Sequence, residues 1–143
     1  MNSAAAPIDR DPTLREVMNT DFAVLTPDDT LRLVDDLVVR RHLHDFPVLY
    51  RGRLFGAIFH ADLLCTEMTH ISGLTGVGRK EALSNIVVRE VMKPATTALP
   101  DTSINNAAQL IVESSIEGLI VIEDEEILGL ISRTELLRIP ARS

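Results

Sequence analysis

The sequence predicts a protein of mixed α and β structure (α+β, or α/β) built from two tandem β-α-β-β-α repeats. An internal repeat is the first observation, because the tetrapeptide Arg-Glu-Val-Met occurs at residues 15–18 and again at residues 89–92. Residues 31–64 then align with residues 104–137 without a gap, and apolar positions coincide in the two copies. The third observation is the composition: 45% apolar and 24% charged residues are typical of a folded domain.

Each repeat is predicted to begin with a short strand that ends at a proline. The strand lies at Val24 and Leu25 in the first copy and at residues 97–99 in the second. Polar residues that favour helix N-caps follow at 28–30 and 101–103. Apolar residues then recur at helical spacing, so a helix is expected after each strand.

Two apolar runs that flank a turn predict a hairpin after each helix. The runs lie at 46–50 and 54–59 in the first copy, and at 119–122 and 127–131 in the second. A closing helix is expected near His60 and near Arg133. We expect the two sheets to pack as one pseudo-two-fold module with a shared set of buried residues: Val48, Leu49, Ile58, Val121, Ile122 and Ile131.

The repeats predict a first domain at residues 8–71, a Gly-containing linker at 72–84 and a second domain at 85–140. Gly73 and Gly78 have the spacing of the first two glycines of a phosphate-binding loop. Arg79 and Lys80 follow, where that loop requires a lysine and then a serine or threonine. The sequence therefore favours a flexible connector over a nucleotide loop.

Composition and charge exclude several classes of protein. The net charge is −7, both halves are acidic, and only 3% of residues are aromatic, which argues against binding nucleic acid. A single cysteine, Cys65, excludes an internal disulfide, and we expect it to be a small core residue. No apolar run approaches 18 residues and no secretory signal opens the chain, so the expectation is a cytoplasmic protein with no membrane span.

The sequence contains no recognisable catalytic motif, so we predict that the protein is not an enzyme. The acidic run at 123–126 is expected to be a solvated hairpin turn. His42, His44 and His60 suggest a metal site, but no acidic or cysteine partner shares their spacing. The prediction is therefore that no metal is bound.

Each copy resembles a CBS domain, the module named after cystathionine β-synthase, and the pair resembles a Bateman module. The matching segments of the first copy are 17–18, 26–31, 46–48, 54–56 and 62–64, and those of the second are 91–92, 99–104, 119–121, 128–132 and 135–137. The resemblance implies a regulatory, signal-transducing homodimer that requires no cofactor and modulates an unknown partner protein. It also implies an adenosine-containing ligand, such as AMP, ATP, NAD or S-adenosylmethionine.

The family motif Gly-x-x-Ser/Thr-x-x-Asp would bind ribose through the Asp and approach the phosphates through the hydroxyl. The first copy keeps Asp62 but has Phe59 at the hydroxyl position, whereas the second keeps Ser132 but has Glu135 in place of the Asp. The resemblance implies these ligand-binding candidates: Asp62, Phe59, His60, Val24, Phe46, Pro47, Thr97, Leu119, Ile120, Ser132, Arg133 and Glu135.

Several of these residues also have structural interpretations. Ser132 and Glu135 form a capping-box pattern, Asp62 can act as a first-turn acid, and Phe59 can fill a pocket or stack on a base. We expect Asp62 to contribute more to ribose binding, because its shorter carboxylate matches the ribose contact of the family and because a cap would occupy Glu135. The ranking reverses if Phe59 fills the first cleft and leaves only the second open. Two functions stay open: a sensor of an adenosine-type ligand, or a ligand-free module for dimerisation or partner docking.

Overall fold

The computed structural model describes residues 11–139, which form two compact units. The contiguous unit comprises residues 21–95, and the composite unit comprises residues 11–20 together with residues 96–139. The helices are α1 (Leu14–Val17), α2 (Leu31–Arg41), α3 (His60–His70), α4 (Gly76–Ser84), α5 (Val88–Val91), α6 (Ile104–Ser114) and α7 (Arg133–Leu137), and the strands are β1 (Phe46–Tyr50), β2 (Arg53–Ile58), β3 (Thr97–Ala98), β4 (Gly118–Glu123) and β5 (Glu126–Ser132).

Local sequence signals set the bounds of the long helices. The Thr30 hydroxyl accepts a hydrogen bond from the Leu33 amide at the start of α2, and the Ser103 hydroxyl accepts one from the Asn106 amide at the start of α6. Both helices end at a residue in the left-handed conformation, His42 or Ser115. The predicted caps and helices are confirmed in both copies because these signals depend only on neighbouring residues.

The two units contain sheets of the same design. In the composite unit, β3 pairs in parallel with β4, and β4 pairs antiparallel with β5. In the contiguous unit, β1 pairs antiparallel with β2, and Leu25 forms a parallel bridge to Val48 where the composite unit has β3. The mixed α and β class and both hairpins are therefore as the sequence predicts.

Each unit is completed by a segment that precedes the other repeat in the sequence. In the composite unit, the Leu14 amide donates to the Thr102 carbonyl (2.9 Å), and Asn19 forms an antiparallel bridge with Leu130 of β5. In the contiguous unit, the Val88 amide donates to the Asp29 carbonyl (2.8 Å), and Lys93 bridges Ala57 of β2 in the same way. Residues 11–20 and 86–95 are here called the exchanged segments.

Glycine is required where each exchanged segment meets its sheet. A Cβ added to Gly129 would lie 2.8 Å from the Asn19 carbonyl oxygen, and one added to Gly56 would lie 2.9 Å from the Lys93 carbonyl oxygen. These distances are shorter than any carbon–oxygen contact that packing tolerates, and a main-chain carbonyl cannot rotate away as a side chain could. The two glycines therefore allow the segments to bind.

Each unit has its own hydrophobic core, and four of the six predicted core residues, Val48, Ile58, Val121 and Ile131, are buried. The equivalent residues Leu49 and Ile122 are only half-buried. The strand register shifts directly before each of them, between residues 48 and 49 and between residues 121 and 122. Such an irregularity bends the strand and changes the direction of the next side chain.

Two other expectations differ from the structure. Cys65 is exposed and is not a core residue, because it lies on the outer face of α3. The predicted linker contains a regular helix, α4, which begins at Gly76 and has Leu83 buried. Among the described residues no helix is both long enough and apolar enough to span a membrane.

Replacing Gly129 by alanine tests the role of the close approach. We expect Gly129→Ala to lower the free energy of unfolding by about 1–3 kcal/mol, the usual cost of overpacking, as measured by urea denaturation. The matched control is Gly78→Ala in α4, where the new Cβ meets only the Leu74 side chain at 4.0 Å and where alanine is the better helix former. Equal stability of Gly129→Ala and the parent would contradict this role.

Candidate functional site

Six of the twelve predicted ligand-binding residues fall into two half-sites, one in each unit and at equivalent positions. The first half-site lies where β2 passes into α3, at residues 56–62. The second half-site lies where β5 passes into α7, at residues 129–135. Each can be described from the hydrogen bonds at the start of its helix.

In the first half-site, Asp62 holds the start of α3. One of its carboxylate oxygens, Oδ2, accepts a hydrogen bond from the Phe59 amide (2.8 Å), and the residue is only 9% exposed. Phe59 stands where the family motif has a hydroxyl, and it is buried at 7% exposure. The first half-site therefore presents a buried acid and a buried ring.

A second carboxylate, that of Asp45, also lies at the start of α3. Its Oδ1 accepts a hydrogen bond from the His60 amide (3.0 Å). Free amides at a helix start attract anions, and here an acidic side chain already binds one of them. A phosphate at this position would meet a like charge, so the first half-site disfavours anions.

The second half-site has a different set of groups on an equivalent backbone. The Ser132 hydroxyl accepts from the Glu135 amide (3.1 Å), and the Glu135 carboxylate accepts from the Ser132 amide (3.0 Å). This reciprocal pair is the predicted capping box. The Arg133 amide donates to the main-chain carbonyl of Glu117 (2.6 Å), and Gly118 stands where the first copy has Asp45.

The two acids are therefore held in the same way, and this changes the comparison between them. The sequence-based preference for Asp62 rests partly on the expectation that the helix cap engages Glu135. Both carboxylates accept from the amide three residues earlier, at 2.8 and 3.0 Å. They differ in exposure instead: Asp62 is buried, whereas Glu135 is exposed. The engagement of Glu135 gives no reason to prefer Asp62.

The remaining candidates are divided between the surface and the cores. Val24 and Thr97 are exposed at equivalent positions, and Thr97 pairs with Ile120 across β3 and β4. Phe46 and Leu119 are fully buried members of the two cores. Pro47 and Ile120 are buried as well. These four residues could reach a ligand only through main-chain atoms.

Two of the three histidines that suggested a metal site are in contact with each other. The rings of His44 and His60 meet edge to face, with centroids 5.0 Å apart, while His42 ends α2. Within residues 11–139 no three His, Cys, Asp or Glu side chains are grouped closely enough to hold a metal ion.

A cavity of about 50 Å³ lies among α2, α3 and α4 in the contiguous unit. Pockets that hold small-molecule ligands have volumes of roughly 300–1,000 Å³, so this cavity is too small for adenosine. It is lined by Leu31, Val34, Asp35, Val38, His60, Leu63, Leu64, Glu67 and Leu83.

Arg79 of α4 lies beside this cavity, within the predicted linker. Its guanidinium donates two hydrogen bonds to Asp35 (2.9 and 3.0 Å) and one to Glu67 (2.9 Å). The hydrogen bonds with Asp35 raise the pKa of Arg79 above its ordinary value, against the opposing effect of burial. Arg79 thus attaches α4 to both α2 and α3.

Sequence reasoning missed the roles of Asp45 and Arg79. A signal for Asp45 was present, because the aligned position in the second copy is Gly118, and a carboxylate next to a candidate anion site changes its electrostatics. Arg79 gave no such signal, since its partners Asp35 and Glu67 are distant in the sequence.

Removing the Ser132 hydroxyl tests the cap of the second half-site. We expect Ser132→Ala to lower the free energy of unfolding by about 1 kcal/mol, because the Glu135 amide loses its acceptor. Thr134→Ala is the matched control, since Thr134 is an exposed residue within α7. Equal urea midpoints for the two variants would contradict a capping role.

Comparison with known proteins identifies the repeat. A sequence model of the CBS domain matches residues 14–66 and again residues 88–142. The protein MJ1426 of Methanocaldococcus jannaschii is 26% identical over 149 residues, covering 87% of this chain and 88% of that protein. MJ1225 of the same organism is 28% identical over 136 residues, covering 92% of this chain, which spans only 48% of that relative.

Solved structures share the fold. The CBS domain of a membrane protein from Sphaerobacter thermophilus superposes with a TM-score of 0.73 at 21% identity, covering 98% of this chain and 94% of that one. CBSX2 in complex with AMP gives 0.66 at 22% identity, covering 89% and 94%. The domain pair of MJ0100 in complex with 5′-methylthioadenosine and S-adenosylmethionine gives 0.70 at 14% identity, covering 91% and 96%.

Proposed function

The chain belongs to the CBS domain family, and we propose on that premise that it is a regulatory module that binds an adenosine-containing ligand. Binding would alter the activity of a partner protein, and the proposed role is non-catalytic. CBSX2 and the MJ0100 domain pair, which share this fold, were solved with AMP and with two sulfur-containing adenosine derivatives. Adenosine is the group common to those ligands, so it is the ligand class proposed for this chain.

The second half-site is the proposed site of ligand binding. Its exposed carboxylate, Glu135, can accept hydrogen bonds from both ribose hydroxyls. Ser132 and Arg133 offer a hydroxyl and a guanidinium to a phosphate or to another negatively charged group. The observation that carries the proposal is that these three groups are adjacent and that Gly118 leaves no carboxylate in the place of Asp45.

The first half-site supports the alternative, a ligand-free module that dimerises or docks to a partner. Phe59 replaces the hydroxyl of the motif, and Asp45 already binds an amide at the start of α3. A chain in which both half-sites had lost their ligand would keep only this structural role. The two functions differ in whether any adenosine compound binds.

Thermal unfolding of the full chain with AMP, ADP, ATP, NAD and S-adenosylmethionine tests the proposal. A ligand present at about 100 times its dissociation constant stabilises the folded chain by about 2.7 kcal/mol. We expect at least one of the five to raise the unfolding temperature. If none does, the ligand-free alternative replaces the sensor.

Variants of the two acids then identify the half-site. We expect Glu135→Ala to weaken binding of the best ligand by about 1.5–3 kcal/mol, the range for a hydrogen bond to a charged group. Asp62→Ala is the matched control and should leave the affinity nearly unchanged. Calorimetric titration that found a large loss for Asp62→Ala and none for Glu135→Ala would assign the ligand to the first half-site.

We also propose that the protein is a homodimer. Leu64 and Met68 lie one turn apart on the same face of α3, and they are 45% and 77% exposed. Exposed apolar side chains of this size are covered by association in many proteins, and a closed two-fold is the commonest arrangement.

Sedimentation at tens of micromolar in about 500 mM NaCl, where contacts between charged surfaces are screened, should show a dimer. Met68→Asp is expected to shift the protein toward monomer because it places a charge in the proposed contact. Val112→Asp, an equivalent change at an exposed position on α6, should leave the dimer intact. A monomeric parent would refute the dimer, and a dimeric Met68→Asp variant would move the contact away from this face.

A further inference from the structure

The two hairpin turns have the same backbone but opposite charge. The β1–β2 turn has Tyr50 paired with Arg53, and the β4–β5 turn has Glu123 paired with Glu126. The central residues of both turns have positive φ: 53° and 77° at Arg51 and Gly52, and 54° and 65° at Asp124 and Glu125. Positions that carry arginine in the first turn therefore carry acids in the second.

The first turn is the edge of a surface in which cations and aromatic rings are interleaved. Arg51 lies over the Tyr50 ring (5.1 Å to the centroid), Tyr50 contacts Phe55 (5.5 Å between centroids), and Arg89 lies over Phe55 (5.8 Å). Tyr50 and Phe55 are 40% and 44% exposed, although aromatic residues are scarce in this chain. This surface, with Arg53, is called the basic turn.

The second turn presents carboxylates from each of its four residues, 123–126. The Arg15 guanidinium lies 3.4 Å from the Glu123 carboxylate and 3.9 Å from the Asp101 carboxylate. The equivalent residue in the other unit is Arg89, which lies beside Asp28 and Phe55. Asp124 and Glu125 occupy positions where Asn-Gly is the preferred pair, and a residue with a Cβ costs up to about 1 kcal/mol there relative to glycine. This surface is called the acidic turn.

We propose that the basic turn of one molecule binds the acidic turn of a second copy of the chain. Guanidinium groups pair with carboxylates through two parallel hydrogen bonds, and the exposed rings beside Arg51 and Arg89 partly shield such pairs from water. The charged positions of the two turns correspond, because both hairpins have the same register. Charge complementarity of this kind sets the specificity of an interface.

A second copy fits the basic turn better than a nucleic acid does. The chain carries a net charge of −7, which repels a phosphate backbone. This repulsion comes from the whole chain and opposes the attraction of one small basic surface. The complementary acidic surface is present on every copy, at the same concentration as the basic one. The proposal is independent of ligand binding and does not involve the apolar face of α3.

Exchanging the charges of the turns tests the proposal. R51D/R53E gives the basic turn the acids found at the aligned positions, and D124R/E126R does the reverse. Arg51 already adopts the φ of Asp124, so these residues suit both backbones, and circular dichroism and thermal unfolding check the fold. We expect each variant to weaken self-association by at least about tenfold in sedimentation, and an equimolar mixture of the two to restore it.

D124R/E126R separates specific pairing from general repulsion. It moves the net charge from −7 toward zero, which would strengthen association if overall repulsion were limiting. Specific pairing requires it to weaken association instead. R32E/R40E, which reverses two exposed arginines of α2, is the matched control for R51D/R53E and should leave association unchanged.

Salt distinguishes this contact from association through the apolar face of α3. We expect the part of self-association that depends on the turns to weaken between about 50 and 500 mM NaCl, while apolar contacts persist. The proposal is overturned if the parent shows no salt-sensitive association, if D124R/E126R associates more strongly than the parent, or if the mixture of the two variants fails to associate. Binding of single-stranded DNA that R51D/R53E abolishes, without self-association of the parent, would overturn it in favour of a nucleic-acid surface.

Discussion

Both units depend on one steric constraint, which is the close approach of a main-chain carbonyl to a glycine of the sheet. Where an exchanged segment joins its sheet, the hydrogen of Gly56 or Gly129 is the largest group that fits against the opposing carbonyl oxygen. The segment then pairs with the next residue of the strand, Ala57 or Leu130, through hydrogen bonds of 2.8–3.0 Å in both directions. The first residue of the family motif is therefore explained by packing, before any ligand is considered.

That fixed geometry allowed the chemistry of the two copies to diverge. The same strand-to-helix junction carries Phe59 and Asp62 in one unit and Ser132 and Glu135 in the other, and each acid still accepts from the amide three residues before it. What changes is the set of side chains at the junction. One junction has a buried ring, and the other has a hydroxyl, a guanidinium and an exposed acid. Duplication preserved the scaffold and left the half-sites unequal.

Features that depend on neighbouring residues could be predicted from the sequence. The caps at Thr30 and Ser103, both hairpins and the capping box at Ser132 are of this kind. Features set by distant contacts could not: Cys65 lies outside the core, and the predicted linker forms a helix that Arg79 attaches to Asp35 and Glu67. For the candidate site, the motif located both junctions. The alignment shows that Asp45 has no acidic counterpart at Gly118, but only the folded structure shows that its carboxylate binds the His60 amide.

The exchanged segments make this chain a domain swap contained within one polypeptide. Residues 11–20 complete the sheet of the second repeat, and residues 86–95 complete the sheet of the first. Two separate chains of one repeat each could complete one another by the same reciprocal exchange. The arrangement is thus suited to an origin in which a single-repeat dimer became one protein by gene fusion. It also means that only one unit is a continuous stretch of chain, residues 21–95, and that this stretch does not coincide with either repeat of the sequence.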